Sequence, residues 1–455
     1  MNGIDMTTGS IVKKISRVAF PILVTNLINM AHNLTDMFWL GQVSQTALSA
    51  VGAMGLFLWL GISVGALSRT GSEVMVSQEY GKKNYKKVNQ YATNGLMLTL
   101  IVAFIYGGLI FVLKSTIINA YNFDNKALIS MSYDYLKYIP FSVFFTIVNQ
   151  QFISTYNGTG NSKIVFIFVS LGLVANMFLD PLFILILDMG ANGAGIATLI
   201  AMLLTTIMFG IYSRYKSVVF ENFRVNTSIL KTRRLINLGI VPMLHQILFS
   251  SIFIIMSMYI VKFGDENVAI SRIGSQVESM IWIVGAAATT ALTVYTGQNF
   301  GVKDYKRVAK GFAFMYVVMV SYSFLIAALF IFHGETIFKI FLPNEPETIK
   351  LGAIYLLINA PAQIFIMSEA VATGFFNGQG YTKVPAFASI FGNLLRVPLM
   401  ILLGNNFGIN GVWVALAISA SIRGVILIVQ FFVTVCKRKE YKFRYFILNK
   451  EVNDA

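Results

Sequence analysis

Gln78-Glu79-Tyr80-Gly81-Lys82-Lys83-Asn84-Tyr85-Lys86-Lys87-Val88 returns 220 positions later as Gln298-Asn299-Phe300-Gly301-Val302-Lys303-Asp304-Tyr305-Lys306-Arg307-Val308. At the same offset, Asn157-Gly-Thr-Gly-Asn-Ser-Lys163 becomes Asn377-Gly-Gln-Gly-Tyr-Thr-Lys383. These short polar loops lie between apolar segments of membrane length. Two loops repeated at one spacing mean a duplicated unit. A duplicated helical bundle in a bilayer is the architecture of many secondary transporters, with the substrate held between the copies.

Composition supports the bilayer. Of 455 residues, 56% are hydrophobic and only 12% charged, and the mean hydropathy is +0.69, too apolar for an ordinary soluble domain. The formal charge of +15 sits in short basic clusters between apolar spans, the pattern of loops facing the cytoplasm, so no nucleic-acid partner is expected. The one cysteine, Cys436, allows neither an intramolecular disulfide nor a thiol-rich metal site. Lys13, Lys14 and Arg17 precede an apolar run that reaches Asp36 without a convincing cleavage site, and it reads as a retained first helix.

Spans of roughly 20 mostly apolar residues predict an all-α integral membrane protein with twelve transmembrane helices. The first six run approximately 15–40, 46–80, 88–113, 132–156, 164–187 and 193–212. The second six run approximately 235–263, 268–300, 308–332, 348–376, 384–403 and 409–435. The polar stretch Arg214–Arg234 separates them, giving an N-terminal six-helix lobe, 1–220, and a C-terminal six-helix lobe, 221–455. Most of the 35 Lys and Arg fall on one side of the membrane when both termini are cytoplasmic, which sets the orientation. Six spans is an even number, so both copies start from the same side and the repeat is parallel.

No phosphate-cradling loop, His-Glu-x-x-His or cysteine cluster is present, and His32, His245 and His333 are scattered, so enzyme readings fall away. What remains is five acids within predicted spans: Asp36, Glu73, Asp180, Glu278 and Glu369. A charged carboxylate at mid-bilayer costs about 2.5–3.5 kcal/mol on insertion scales, so each needs a reason to be there. Glu73 has Arg69 one turn away to pair with. Asn29, Asn33 and Asp36 follow the i, i+4, i+7 spacing of one helical stripe, with His32 beside it. Asp180 has Asn176 one turn back and Pro181 directly after, and the proline leaves a carbonyl one turn earlier unpaired. Carboxylate, amide and free carbonyl oxygens suit a small cation, Na+ at Asp36, Asp180 and Asn176. Burial equally disfavours the charged carboxylate and lets Asp36 or Asp180 carry a proton. The competing reading is a buried pair satisfied by neighbouring amides and serving only packing. Glu278 and Glu369 are the second half's intramembrane acids, with Arg272, Arg396 and Arg423 available to neutralise them, and substrate contact is the alternative role.

These residues resemble the multidrug and toxic compound extrusion (MATE) family over essentially the whole chain. Pro21 followed by Asp36-Met-Phe-Trp-Leu-Gly41 looks like the family's first span, and Gly297-Gln-Asn-Phe-Gly301 is similar to its most recognisable loop. Asn176, Asp180 and Pro181, followed by Gly193-Ala-Gly-Ile-Ala-Thr198, match its fifth and sixth helices. The resemblance implies that Asp36, Asp180, Asn176 and Thr198 form an ion-responsive cluster. It does not extend to the seventh helix, where several relatives carry a glutamate eight residues after the proline and this chain has Pro242 and then Ser250. No role transfers to Glu369, which sits nearer the end of its helix than the aspartate of those relatives. Aligning Pro181 with Pro398 sets Val397 opposite Asp180, so only one half has the cluster.

The resemblance implies an antiporter of the plasma membrane, expected to act as a monomer and without a cofactor. It would export amphipathic, often cationic small molecules in exchange for H+ or Na+. The expected architecture is two lobes forming a V around a central cavity, with Asn33, Glu278 and Glu369 as candidate cavity residues. The alternatives are a lipid-linked saccharide flippase, which needs a basic cavity for a diphosphate, and an uncoupled channel.

Overall fold

The computed structural model describes residues 3–215, 217–220, 228–438 and 440–446. Those residues form α-helices joined by short turns, and no strand occurs among them. An apolar chain in hydrocarbon must satisfy its own backbone hydrogen bonds, and helices do so within each segment. In order these are α1 (Ile11–Val43), α2 (Gln45–Gly81), α3 (Tyr85–Ala120), α4 (Lys126–Leu136), α5 (Ile139–Gly158), α6 (Ser162–Pro181) and α7 (Gly190–Tyr215). There follow α8 (Ile229–Ile260), α9 (Asp265–Gly301), α10 (Tyr305–Phe341), α11 (Pro346–Asn359), α12 (Ala362–Gly378) and α13 (Lys383–Lys437).

Eight helices are individually long and apolar enough to cross a membrane, and α11 with α12, bent by 47°, makes a ninth span. An unbroken helix of the 55 residues of α13 would be about 80 Å long, far beyond a hydrocarbon core of about 30 Å. Instead α13 breaks at Gly408 (φ 61°, ψ −146°) and supplies two spans. Together with α1 and the α4–α5 pair, which do not pass that test of length and apolarity, the described helices account for the twelve expected spans. The predicted continuous segments 132–156 and 348–376 are each broken in two. Pro140 lies in the first turn of α5 and Pro361 caps α12, and a proline has no N–H to give to the carbonyl four residues earlier, so the helical hydrogen-bond ladder is interrupted at both places.

The repeated loops share one backbone design. Lys83 (φ 57°) and Lys303 (φ 63°), Gly160 (φ 78°) and Gly380 (φ 86°) are all left-handed, each pair 220 apart. Asn84 N donates to Glu79 O at 3.0 Å and Lys83 N to Tyr80 O at 2.9 Å, and the counterparts Asp304 to Asn299 (2.9 Å) and Lys303 to Phe300 (3.0 Å) repeat the pattern. Asn161 to Tyr156 and Tyr381 to Phe376, both 2.9 Å, do the same in the second loop of each half. Each is a helix C-cap closed by paired backbone bonds around a left-handed residue. Asn84 and Asp304 then cap the next helix by accepting from Lys87 N and Arg307 N.

By internal contacts the chain divides into one unit of Met1–Asp5 and Phe20–Met243 and a second of Met6–Ala19 and Leu244–Ala455. The expected boundary after residue 220 falls at a stretch, 221–227, outside the described residues. Two helices change unit along their length, and both do so beside a proline: α1 between Ala19 and Phe20, next to Pro21, and α8 between Met243 and Leu244, next to Pro242. In unit 1, α6 lies tightly on α7. A Cβ at Gly172 would collide with Thr205 Oγ1 and one at Gly193 would come within 2.6 Å of the Phe183 carbonyl, so glycine is what permits this approach. The aromatic core beside it includes Phe152 stacked on Phe209, with ring centroids 5.4 Å apart. In unit 2 the corresponding close approach is at Gly392, where a Cβ would collide with Arg423 Cγ and meet Ser419 O at 3.1 Å.

Candidate functional site

In unit 1 the structure brings Asp36 of α1 and Asp180 of α6 together and adds a residue the sequence reading had left beside the stripe. One ligand atom each of His32, Asp36 and Asp180 lie within 4.8 Å of one another. His32 sits one helical turn before Asp36, so the two share a face of α1, and Nδ1 approaches Asp36 Oδ1 to 3.0 Å. The contact lacks hydrogen-bond alignment, and neither atom has another partner. His32 and Asp180 are buried, whereas the Asp36 side chain keeps 29% of its surface.

Pro181 ends α6 and cannot donate to the carbonyl one turn earlier. The chain continues as a single wide turn, Leu182–Ile186, closed by Leu187 N to Leu182 O at 2.9 Å. Such turns recur at functional sites. Asn176, one turn before Asp180 on the same face, is wholly buried, and both its amide atoms lack a hydrogen-bond partner, as does Asp180 Oδ2. No Lys or Arg forms an ion pair with Asp36 or Asp180 among the described residues. Tyr135, buried on α4, stands close enough to both carboxyls to feel their charge. Trp39 Nε1, one turn beyond Asp36, is a further buried donor without an acceptor.

Thr198 on α7 is half-buried and its hydroxyl donates to Ala194 O at 2.9 Å, leaving its lone pairs free. Asn33 is exposed. Glu73 lies within electrostatic range of Arg69, but its Oε1 has no hydrogen-bond partner, and Arg69 Nη1 donates to Gln150 Oε1 at 3.2 Å.

Unit 2 treats its acids differently. Glu369 accepts from Arg423 Nε at 3.1 Å and from Ser389 Oγ at 2.8 Å. Arg423 Nη1 also donates to Asn393 Oδ1 at 2.8 Å. Arg396 Nε donates to Ser419 Oγ at 2.9 Å, and Glu278 lies near Arg396 and Tyr355 with Oε1 lacking an aligned partner. Of the three arginines the sequence offered, Arg423 is the one that neutralises Glu369.

The MatE family model matches residues 21–182 and again 242–402, one match in each half. The probable multidrug resistance protein NorM of Thermotoga maritima is 22% identical over 433 residues, 92% of each chain. Among solved structures, a MATE protein in its bent conformation superposes with a TM-score of 0.89 at 18% identity, over 97% of this chain and 99% of the other. A transporter of the MOP superfamily from Pyrococcus furiosus, described as having a binding pocket of reversed polarity, gives 0.86 at 17% identity, over 96% and 99%. With apolar spans throughout and the family matched in both halves, the chain belongs to the MatE family, whose members are multidrug efflux transporters of the membrane and not enzymes.

Proposed function

We propose that this transporter is an antiporter whose coupling ion, H+ or Na+, loads at Asp36 and Asp180, with Asn176 and Thr198 in support. The observation that carries this reading is the meeting of two intramembrane carboxyls with no Lys or Arg against them. Two like charges this close and poorly solvated need a cation between them or a proton on one of them. The partnerless amide of Asn176 and the exposed edge of Asp36 supply a further donor and a route in. Loading removes the repulsion between α1 and α6, and unloading restores it, so the ion changes how these helices pack. If the exported compound is bound more weakly in the loaded state, it must weaken ion binding by the same factor.

Energetics bound the stoichiometry. One elementary charge crossing 100 mV contributes about 2.3 kcal/mol, and a tenfold concentration ratio about 1.4 kcal/mol. Exchanging one proton for one monovalent organic cation moves no net charge, so only the concentration term acts, with about tenfold accumulation per pH unit. In unit 2 the arginines are matched by Glu369 and Glu278, which argues against a basic cavity for a diphosphate and so against the flippase alternative. The same reading places the protein in the plasma membrane with both termini cytoplasmic and two six-span repeats acting as one monomer. The test is dye efflux from reconstituted vesicles with pH and sodium gradients imposed separately. Uphill movement driven by either ion and abolished by an ionophore supports coupling, and movement only down the dye gradient rejects it in favour of a channel.

A further inference from the structure

We propose that His32, Asp36 and Asp180 together form a binding site for a transition-metal dication of the zinc and cobalt class. This deepens the coupling reading, since a metal held there occupies the same two carboxyls.

The donor set is the first argument. Sodium is a hard ion that takes oxygen ligands, whereas imidazole nitrogen is a strong ligand for zinc, cobalt and nickel. His32 places Nδ1 in the cluster, buried and with no aligned hydrogen bond to satisfy it. Imidazole nitrogen and carboxylate oxygen are both zinc ligands, and three protein ligands leave a fourth position open. Asn176 Oδ1, one turn from Asp180 and partnerless, or a water can fill that position.

Geometry is the second. Ligand atoms in a tetrahedral zinc site stand about 3.4 Å apart when each bond is about 2.1 Å. The three donors here lie within 4.8 Å of one another, and the His32–Asp36 pair is already at 3.0 Å. Asp36, whose side chain is 29% exposed, has room to change rotamer and take up part of the remaining contraction.

Charge is the third. With a neutral imidazole the site carries two carboxylates and no Lys or Arg ion pair among the described residues. A monovalent ion leaves one negative charge uncompensated in a poorly solvated place, whereas a dication cancels both.

The test uses the purified full-length protein in detergent, titrated with Co2+ and followed by visible ligand-field absorption and by thermal stability. The expected result is one Co2+ per chain with a tetrahedral spectrum, a raised melting temperature, and displacement by Zn2+. His32→Gln should weaken binding at least tenfold and remove the tetrahedral band. Asp36→Asn, a second variant that leaves His32 in place, should also weaken binding. No saturable Co2+ site in the wild type, or wild-type affinity in both variants when each elutes as a folded monodisperse species, overturns the proposal. Because no transport is measured, failure of the metal site and failure of ion coupling are separately visible.

Discussion

The helical segments around Asp180 and Arg396 carry an asparagine and a proline at the same spacing, yet they hold opposite chemistry. Asn176-Met-Phe-Leu-Asp180-Pro181 of α6 aligns with Asn393-Leu-Leu-Arg396-Val397-Pro398 of α13, sharing asparagine and proline at the same positions. In unit 1 the asparagine has no partner and the acid beside it faces another acid. In unit 2 the asparagine accepts from Arg423, which also holds Glu369. The half-bundle fold thus fixes where a polar group can stand but not whether it is neutralised. Neutralised pairs need no other role than holding helices together. A buried acid left without a counter-charge costs stability and persists where something removable completes it.

The largest expected effect is a test of that asymmetry. Asp180→Asn should reduce ion-driven efflux from vesicles at least hundredfold, to the level of passive leak, with unchanged or improved yield of folded protein, because the change removes an uncompensated charge. Asp36→Asn should behave alike. Efflux at the wild-type rate in either variant would remove the acidic pair from coupling.

Next comes the opposite lesion in unit 2. Arg423→Ala strands Glu369 and should destabilise the protein by about 3–5 kcal/mol, as removal of one partner of a buried pair does. Thermal denaturation in detergent reads it. The double variant Glu369→Gln/Arg423→Met should recover most of the loss, and efflux per folded molecule should remain ion-driven. A melting temperature unchanged by Arg423→Ala would mean that the pair holds nothing.

Two glycines sharpen the contrast at smaller magnitude. Gly172→Val forces α6 off Thr205 and Ala201 of α7, and Gly392→Val presses on Arg423 and Ser419. Overpacking of this kind costs about 1–3 kcal/mol, so the two variants should melt at similar temperatures. Transport should separate them. Gly172→Val moves the helix that carries Asn176 and Asp180 and should impair coupling, whereas Gly392→Val should leave it largely intact. Equal transport in both would show that the position of α6 is not what sets the cluster.

What the sequence disclosed follows from range. The loop repeat, the twelve spans and the candidacy of Asp36 and Asp180 are local: apolar run lengths, helical spacing and the cost of an acid in lipid reveal them. The pairing of Glu369 with Arg423 is 54 residues long in sequence, and three arginines were equally eligible. His32 was four residues from Asp36 and so on its face, but only the approach of Asp180 on α6 turns that neighbour into a third member of the cluster. The passage of residues 6–19 into unit 2 also escaped, because it depends on Met6 N reaching Gln298 Oε1 at 2.9 Å and on Arg307 Nη2 reaching Met6 O at 3.1 Å, contacts some 290–300 positions apart.

The smallest effect concerns the feature in which the halves agree. Lys83 and Lys303 are exposed, non-glycine residues with φ of 57° and 63°. A left-handed conformation costs an L-residue about 1–2 kcal/mol, and glycine removes that cost while adding about 0.5–1 kcal/mol of unfolded-state entropy to be lost. Each lysine also sits at a helix C-terminus, where a cation contributes about 0.3–1 kcal/mol. For Lys303→Gly these contributions nearly cancel, leaving a net change within about 1 kcal/mol of zero. Lys83→Gly should come out less favourable than Lys303→Gly by about 0–1 kcal/mol, because it also loses the exposed contact of Lys83 Nζ with Asp5 Oδ2 at 3.8 Å. Paired thermal melts read the difference, and salt should erase it, since screening weakens the Asp5 contact and leaves the backbone term alone. If the two variants still differ by more than about 1 kcal/mol at high salt, beyond anything a surface pair supplies, the repeated loops are not energetic equivalents despite sharing one backbone design.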